Sequence, residues 1–128
     1  MPSYRDIEMK VIEWSQARKI IPRSTPVAQA RKTLEESGEL LEAATALKVC
    51  NDLANMFPGL PHREEFIAYR AEWQAKFKDG AGDTVVTLVN ACALADVDLI
   101  DCFYGSYEEI KNRKGTLLPN GVFQKDAG

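Results

Sequence analysis

The chain has 128 residues, of which 45% are hydrophobic and 27% are charged. This composition predicts a single globular domain over residues 1–128 and argues against a disordered protein. The net charge of −3 lacks the basic excess of proteins that bind nucleic acid polymers. No apolar segment reaches the roughly 20 residues of a membrane span, so we expect a soluble, cytoplasmic protein without a membrane partner.

Two amphipathic helices are predicted in the first third of the chain. The first begins at Tyr4 and is ended by Pro22, because proline breaks a helix interior. Thr25 caps the second helix, with Pro26 at its first position, and this helix extends through about Ala46. The residues expected on the buried faces are Tyr4, Ile7, Val11, Trp14, Ala17 and Ile21 in the first helix, and Val27, Ala30, Leu34, Gly38 and Leu41 in the second.

The glycine and proline residues that interrupt the rest of the chain predict further helices after a turn near Pro58. Aromatic residues recur at helical spacing up to a kink or short break near Gly80. Residues 84–95 contain β-branched side chains that also suit a strand, but the apolar run is longer than a typical strand and favours a buried helix. Asp98 begins a last helix whose apolar face includes Phe103 and Tyr107, and Gly115 stops it.

These elements predict an all-α fold, a bundle of four to five helices. The tail, residues 116–128, contains the turn sequence Leu118-Pro119-Asn120-Gly121 and is expected to be an irregular surface strap or a short hairpin.

Four acidic side chains share one side of the second predicted helix. At 100° per residue, Glu35, Glu39 and Glu42 span roughly 60° of arc, and Glu36 lies roughly 60° beyond Glu39. Like charges at this spacing repel, so a partner is expected to neutralise them. The simpler interpretation is a solvated acidic face near a helix N-terminus.

A second set of polar residues lies around and after Gly80, on the segment whose other faces are apolar. Asp79 and Asp83 are one turn apart, and Thr87 and Asn90 continue the same strip. Two helices with facing acids form an oxygen-lined pocket that suits Mg²⁺, or Mn²⁺ in its place, with phosphate oxygens completing the coordination. A di-iron site is not expected, because the single histidine lacks the required Glu-x-x-His spacing.

Basic residues supply candidate phosphate contacts. They also suit the end of a helix, where cations complement its dipole without any ligand. The candidates are Lys111, Arg113 and Lys114, with Asn112 among them, and Arg31 and Lys32 one turn before Glu35.

These residues resemble the motifs of the all-α MazG-like nucleoside triphosphate pyrophosphohydrolases, particularly small phage-type members. The resemblance covers nearly the whole chain, with an apparent insertion at residues 44–76. The matching motifs are Glu35-Glu36-Ser37-Gly38-Glu39 for EExxE, Asp79-Gly80-Ala81-Gly82-Asp83 for the second acidic motif, and Tyr107-Glu108-Glu109-Ile110-Lys111-Asn112-Arg113-Lys114-Gly115 at the end.

The resemblance implies Mg²⁺-dependent hydrolysis of nucleoside triphosphates to a monophosphate and pyrophosphate by a homodimer or homotetramer. Glu36 and Glu39 match the metal-binding pair, and Asp83 matches the final acid of the second motif. Gly80 stands where that motif has Glu, and Asp79 is the nearest substitute. Glu35 or Glu36 is expected to orient or deprotonate the attacking water. The expected substrate contacts are Arg31, Lys32, Asn90, Lys111, Asn112, Arg113 and Lys114.

Two alternatives stay open from the sequence. One is a catalytically idle helical module that binds a nucleotide or a protein, which the glycine at position 80 and the insertion favour. The other is a metal-free helical bundle whose acids are merely solvated.

Overall fold

The structure, a computed structural model, describes residues 1–127, and most of them are helical. This predominance of helices confirms the predicted all-α class. Two units are distinguished by their internal packing, one of residues 1–96 and one that begins at Val97. The elements are α1 (Tyr4–Ala17), α2 (Ile20–Arg23), α3 (Pro26–Met56), α4 (Glu64–Leu94), α5 (Leu99–Ile110), β1 (Gly115–Leu117) and β2 (Phe123–Lys125).

Helix α1 begins as a capped helix and ends earlier than the sequence predicts. Ser3 accepts a hydrogen bond from the Asp6 amide, and the Asp6 side chain accepts one from the Ser3 amide in return. The predicted end at Pro22 is wrong, because the chain leaves the helix after Ala17 and Lys19 adopts a left-handed φ of 67°. Pro22 belongs to the separate short helix α2.

The buried side of α1 is polar. Glu8 and Ser15 are buried, whereas Tyr4, Ile7 and Trp14 from the predicted core face are 37–46% exposed. That face is therefore not the one that packs inside this chain. Helix α1 contacts α2 and α4 instead through the side that carries Ser15.

Helices α3 and α4 form an antiparallel hairpin that is the main packing unit of residues 1–96. Thr25 caps α3 as predicted, accepting a hydrogen bond from the Ala28 amide at 3.1 Å. The helix continues well past Ala46, to Met56. Residues 44–76, which resemble an insertion, form the distal end of this hairpin, with a 3₁₀ turn at Leu60–His62 between the helices.

The predicted kink near Gly80 is wrong, because α4 is continuous through that residue. Gly80 is buried, and a Cβ atom there would lie 3.3 Å from the backbone nitrogen and Cα of Leu40 on α3. The glycine therefore permits close contact between two helices and does not hinge one of them. Residues 84–94 continue the same helix, which confirms the helical alternative for that segment.

Two sets of residues repeat every seven positions on α3, and the structure buries the one that sequence analysis did not choose. The predicted core residues Val27, Leu34 and Leu41 are 61–75% exposed. The buried residues lie on the opposite side of the helix and are Glu36, Ala43 and Cys50.

The unit that begins at Val97 contains α5 and a β-hairpin. Asp98 caps α5 by accepting hydrogen bonds from the Ile100 and Asp101 amides. The helix ends at Ile110, not at Gly115, and its aromatic side is exposed. Strands β1 and β2 are antiparallel, so the tail forms the short hairpin named among the alternatives, with Gly121 at a φ of 86° in its turn.

None of the helices in the described part of the chain is long and apolar enough to cross a membrane.

The close contact at Gly80 can be tested against the nearby Gly82. Both lie inside α4, but a Cβ at Gly82 meets no atom within 4 Å. Gly82→Ala should stabilise the protein by roughly 0.5–1 kcal/mol, because alanine favours helix. Gly80→Ala should be less stable than Gly82→Ala by about 1 kcal/mol, because Leu40 must move. Urea unfolding of both variants measures the difference, and equal stabilisation would show that the two helices do not need the glycine.

Candidate active site

Glu36 is a buried carboxylate at the α3–α4 contact. It is 8% exposed because it lies on the buried side of α3 with Ala43 and Cys50. Lys32 Nζ lies 3.7 Å from Glu36 Oε1. The other oxygen, Oε2, is buried and has no hydrogen-bond partner among the described residues. An unpaired buried carboxylate oxygen is costly, so this atom is suited to a ligand that supplies positive charge.

The neighbouring acids make the charge on Glu36 still less favourable. The neighbouring Glu39 carboxyl group is the largest cause that raises the pKa of Glu36 above its ordinary value, and burial of Glu36 is the next. Glu35 is exposed and accepts a hydrogen bond from Lys32 Nζ at 3.1 Å. That hydrogen bond is the largest cause that raises the pKa of Lys32. Lys32, predicted to contact substrate, is thus held by two of the acids.

Asp83 on α4 joins two neighbouring cavities. The first, of about 350 Å³, is lined by Glu36, Lys32 and Asp83 at one end. The second, of about 390 Å³, is lined by four acids, together with Trp73, Lys76 and Gly80. Those acids are Glu39, Glu42, Asp79 and Asp83. The structure therefore brings the acids of both predicted motifs to one side of the hairpin.

The oxygen atoms of these acids are the kind of donor that a hard cation binds. The acids are not, however, arranged around a single metal position. The carboxylate oxygens are the donors that Mg²⁺ prefers, and the partnerless Glu36 oxygen points to a missing positive charge. Within residues 1–127, however, no group of three or more His, Cys, Asp or Glu side chains is arranged to hold a metal ion. Any binding of Mg²⁺ therefore requires the exposed acids to turn toward Glu36.

Asn90 lies in a buried polar cluster at the other end of the first cavity. It is 3% exposed and accepts a hydrogen bond at Oδ1 from Ser15 Oγ, at 2.6 Å. Its Nδ2 lies 3.5 Å from Gln29 Oε1. Trp14 lines the same cavity, and the Arg18 guanidinium lies 4.2 Å from the centre of the Trp14 ring.

The predicted basic contacts lie in different parts of the chain. Arg31 is exposed on α3, whereas Lys111, Asn112, Arg113 and Lys114 lie between the end of α5 and the start of β1. Lys111 donates a hydrogen bond to Glu108 at 2.5 Å, which matches the simpler role of a cation near a helix end. Arg113 and Lys114, with Lys125 of β2, line a cavity of about 530 Å³ within their own unit.

Sequence analysis missed several residues that line these cavities. Ser15 and Gln29 lie on helices for which the sequence analysis considers only the apolar residues near them. Trp73 and Lys76 lie at the end of the apparent insertion and yet line the acidic cavity. Polar residues at the same helical spacing as a core position are the signal that identifies Ser15 and Gln29.

No protein family, curated protein or solved structure matches the chain.

The raised pKa of Glu36 predicts that its charge opposes folding when no cation is present. A folded-state pKa above the unfolded value means that the folded protein binds the proton more tightly, so stability is lost as the pH rises through this pKa. In EDTA at pH 7.5, Glu36→Gln should melt at a higher temperature than the wild type, and the difference should shrink toward pH 4.

Glu13→Gln, an exposed change on α1, is the matched control and should leave the melting temperature nearly unchanged. A lower melting temperature for Glu36→Gln at pH 7.5 would contradict the expectation.

Proposed function

We propose that this protein is a Mg²⁺-dependent nucleoside triphosphate pyrophosphohydrolase that acts on ribo- or deoxyribonucleotides. The reaction is hydrolysis between the α and β phosphates, which yields a nucleoside monophosphate and pyrophosphate and adjusts the cytoplasmic nucleotide pool. The observation that carries the proposal is the buried, partnerless oxygen of Glu36 at the end of a cavity that Asp83 also lines. The two acidic motifs that resemble those of the family thus face each other across the contact between α3 and α4.

In this proposal Glu36, Glu39, Asp79 and Asp83 hold the cation. When bound, Mg²⁺ supplies positive charge to the phosphate oxygens and acidifies the attacking water. Lys32 lines the same cavity and is suited to neutralise a phosphate oxygen.

A carboxylate is also needed to orient the water and take its proton. Of the two candidates, Glu36 lines the first cavity, whereas Glu35 is exposed and hydrogen-bonded to Lys32. This difference favours Glu36 for that role. Arg31, Lys111, Asn112, Arg113 and Lys114 remain proposed contacts to the phosphates or the sugar.

Asp83→Asn tests the reaction. This nearly isosteric change removes the charge shared by both cavities, so pyrophosphate release in Mg²⁺ should fall by about 100-fold or more, while the fold is kept. Asp52→Asn is the control, since Asp52 pairs only with Lys48 at the distal end of the hairpin in the described contacts. Ion chromatography separates pyrophosphate from orthophosphate. Unchanged release by Asp83→Asn would refute the proposal, and so would orthophosphate as the product.

One observation favours a catalytically idle binding module as the second candidate. A Cβ at Gly80 would lie 3.3 Å from the Leu40 backbone, so the glutamate that the second motif usually carries would require the two helices to shift apart. Under this hypothesis nucleotide with Mg²⁺ raises the melting temperature, as a ligand of the folded state must, but no pyrophosphate appears. A metal-free bundle predicts no shift at all.

We further propose that the protein is a homodimer or homotetramer assembled through α3. Val27, Leu34 and Leu41 form an exposed apolar stripe with the seven-residue spacing of helices that pair with one another. An apolar stripe of this kind marks an interaction surface.

Leu34→Glu should convert the assembly to a monomer, because it places a charge in the centre of the stripe. Sedimentation velocity measures the change. Val122→Glu, at an exposed apolar position in the hairpin turn, should keep the wild-type assembly. A wild-type protein that sediments as a monomer would contradict the proposal.

A further inference from the structure

Helix α5 has an apolar face that nothing in the chain covers. None of the described residues 97–127 is buried. The apolar residues of α5 alternate at spacings of three and four, which is the pattern of a helix that pairs with another helix. These seam residues are Ile100, Phe103, Tyr107 and Ile110. The last three are 51–74% exposed, so the face is available to a partner.

The β-hairpin of the same unit does not cover this face, because α5 has no buried residue in its presence. The large side chains of α5 instead border an open groove of about 450 Å³. The groove is lined by Ile100, Asp101, Phe103, Tyr104 and Tyr107. A groove between large side chains on one helix accepts a side chain of a second helix, as a knob enters a hole.

The apolar stripe of α3 is a second exposed helix face with matching spacing. Its three large residues alternate along the helix with small ones, which are Ala30, Ser37 and Ala44. Large side chains of a facing helix fill the space over small residues. The α5 face presents such side chains, because all four of its seam residues are large.

Charges beside the two faces favour a parallel alignment. On α3, Arg31 lies beside the first half of the stripe and Glu42 beside the second half. On α5, Asp101 lies in the first turn, and Arg113 and Lys114 follow the last turn. Parallel helices therefore bring opposite charges together at both ends of the contact, whereas antiparallel helices bring like charges together.

We propose that α5 of one copy packs in parallel on the apolar stripe of α3 in a second copy. A two-fold axis repeats the contact, so the dimer is closed and both faces are covered. In this register Ile100 lies beside Val27, and Phe103 and Ile110 lie over the small residues of α3. The inference rests on the proposed assembly through α3, and it names the surface that covers that helix.

The area of this contact is close to what a stable dimer needs. Stable interfaces bury about 800 Å² on each partner. Each subunit contributes its large side chains from both faces, and each of these buries on the order of 100 Å². The three stripe residues of α3 supply less than half of that area. The α5 face therefore adds area that two paired α3 helices lack.

Phe103→Glu tests whether α5 takes part in the assembly. Phe103 is exposed, so one chain tolerates the charge, but the proposed contact does not. The variant should sediment as a monomer at a concentration where the wild type is assembled, and its circular dichroism spectrum should be unchanged. Val122→Glu adds the same charge at an exposed position of the hairpin turn and should keep the assembly. Wild-type assembly of Phe103→Glu would overturn the proposal.

Cysteine cross-linking tests which surface α5 covers. Two versions of the chain, one with a tag, are co-expressed with the exposed Cys102 changed by Cys102→Ser in both. Oxidation should join most Ile100→Cys chains to Val27→Cys chains, because the register brings these positions within disulfide reach. Less than about a tenth should be joined when Leu41→Cys replaces Val27→Cys. Glu109→Cys, on the outer side of α5, is the matched control and should also fail to join Val27→Cys.

Each cross-linking result decides. Chains joined through Leu41→Cys, or through neither α3 position, would overturn the proposal. A cross-link formed only inside a single chain that carries both Ile100→Cys and Val27→Cys would overturn it as well. If the cysteine variants fail to assemble, the sedimentation of Phe103→Glu decides alone.

The two proposals about assembly fail separately. Loss of assembly by Leu34→Glu but not by Phe103→Glu would retain the assembly through α3 and refute the role of α5. A wild-type monomer would refute both. Pyrophosphate release by the wild type is a separate measurement and bears only on the proposed hydrolase.

Discussion

The close approach of α3 and α4 at Gly80 is the constraint on which the rest of the structure depends. A Cβ atom at this position would lie 3.3 Å from the Leu40 backbone, so any larger residue would require the two helices to shift slightly. Asp79 and Asp83 flank Gly80 on α4, and Glu36 and Glu39 flank Leu40 on α3. The contact that holds the hairpin together therefore also brings the two acidic motifs to face each other.

Gly80 also bears on both functional candidates, the hydrolase and the catalytically idle binding module. Gly80 allows the helices to bring the acids together, but it occupies the place where a second glutamate ligand would be expected by resemblance. The acidic cavity compensates in composition, because Glu42 and Asp79 line it beside Glu39 and Asp83. The cavity therefore contains carboxylate oxygens, the donors that Mg²⁺ prefers, although Gly80 stands in place of the usual glutamate.

Several polar side chains are buried where α4 contacts α1 and α3. Ser15 bonds to Asn90, and the Thr33 and Thr87 hydroxyls lie 2.7 Å apart, with Thr87 also donating to a backbone carbonyl. Buried polar groups stabilise a fold less than apolar packing does. They are useful where the binding of a ligand depends on how the polar side chains are oriented. Large apolar side chains are left exposed on the opposite side of α3.

The sequence by itself determined the elements whose causes are local. The Thr25 cap followed by Pro26, the helix start at Asp98 and the helical spacing of the acids all follow from neighbouring residues, and the structure has each of them. Only the tertiary structure decided which side of α3 is buried, because both sides repeat every seven residues and the choice depends on what α4 offers. It also decided that Gly80 is a helix contact and not a hinge, and that Ser15 is hydrogen-bonded to Asn90. These outcomes depend on residues distant in sequence, whose approach no local pattern encodes.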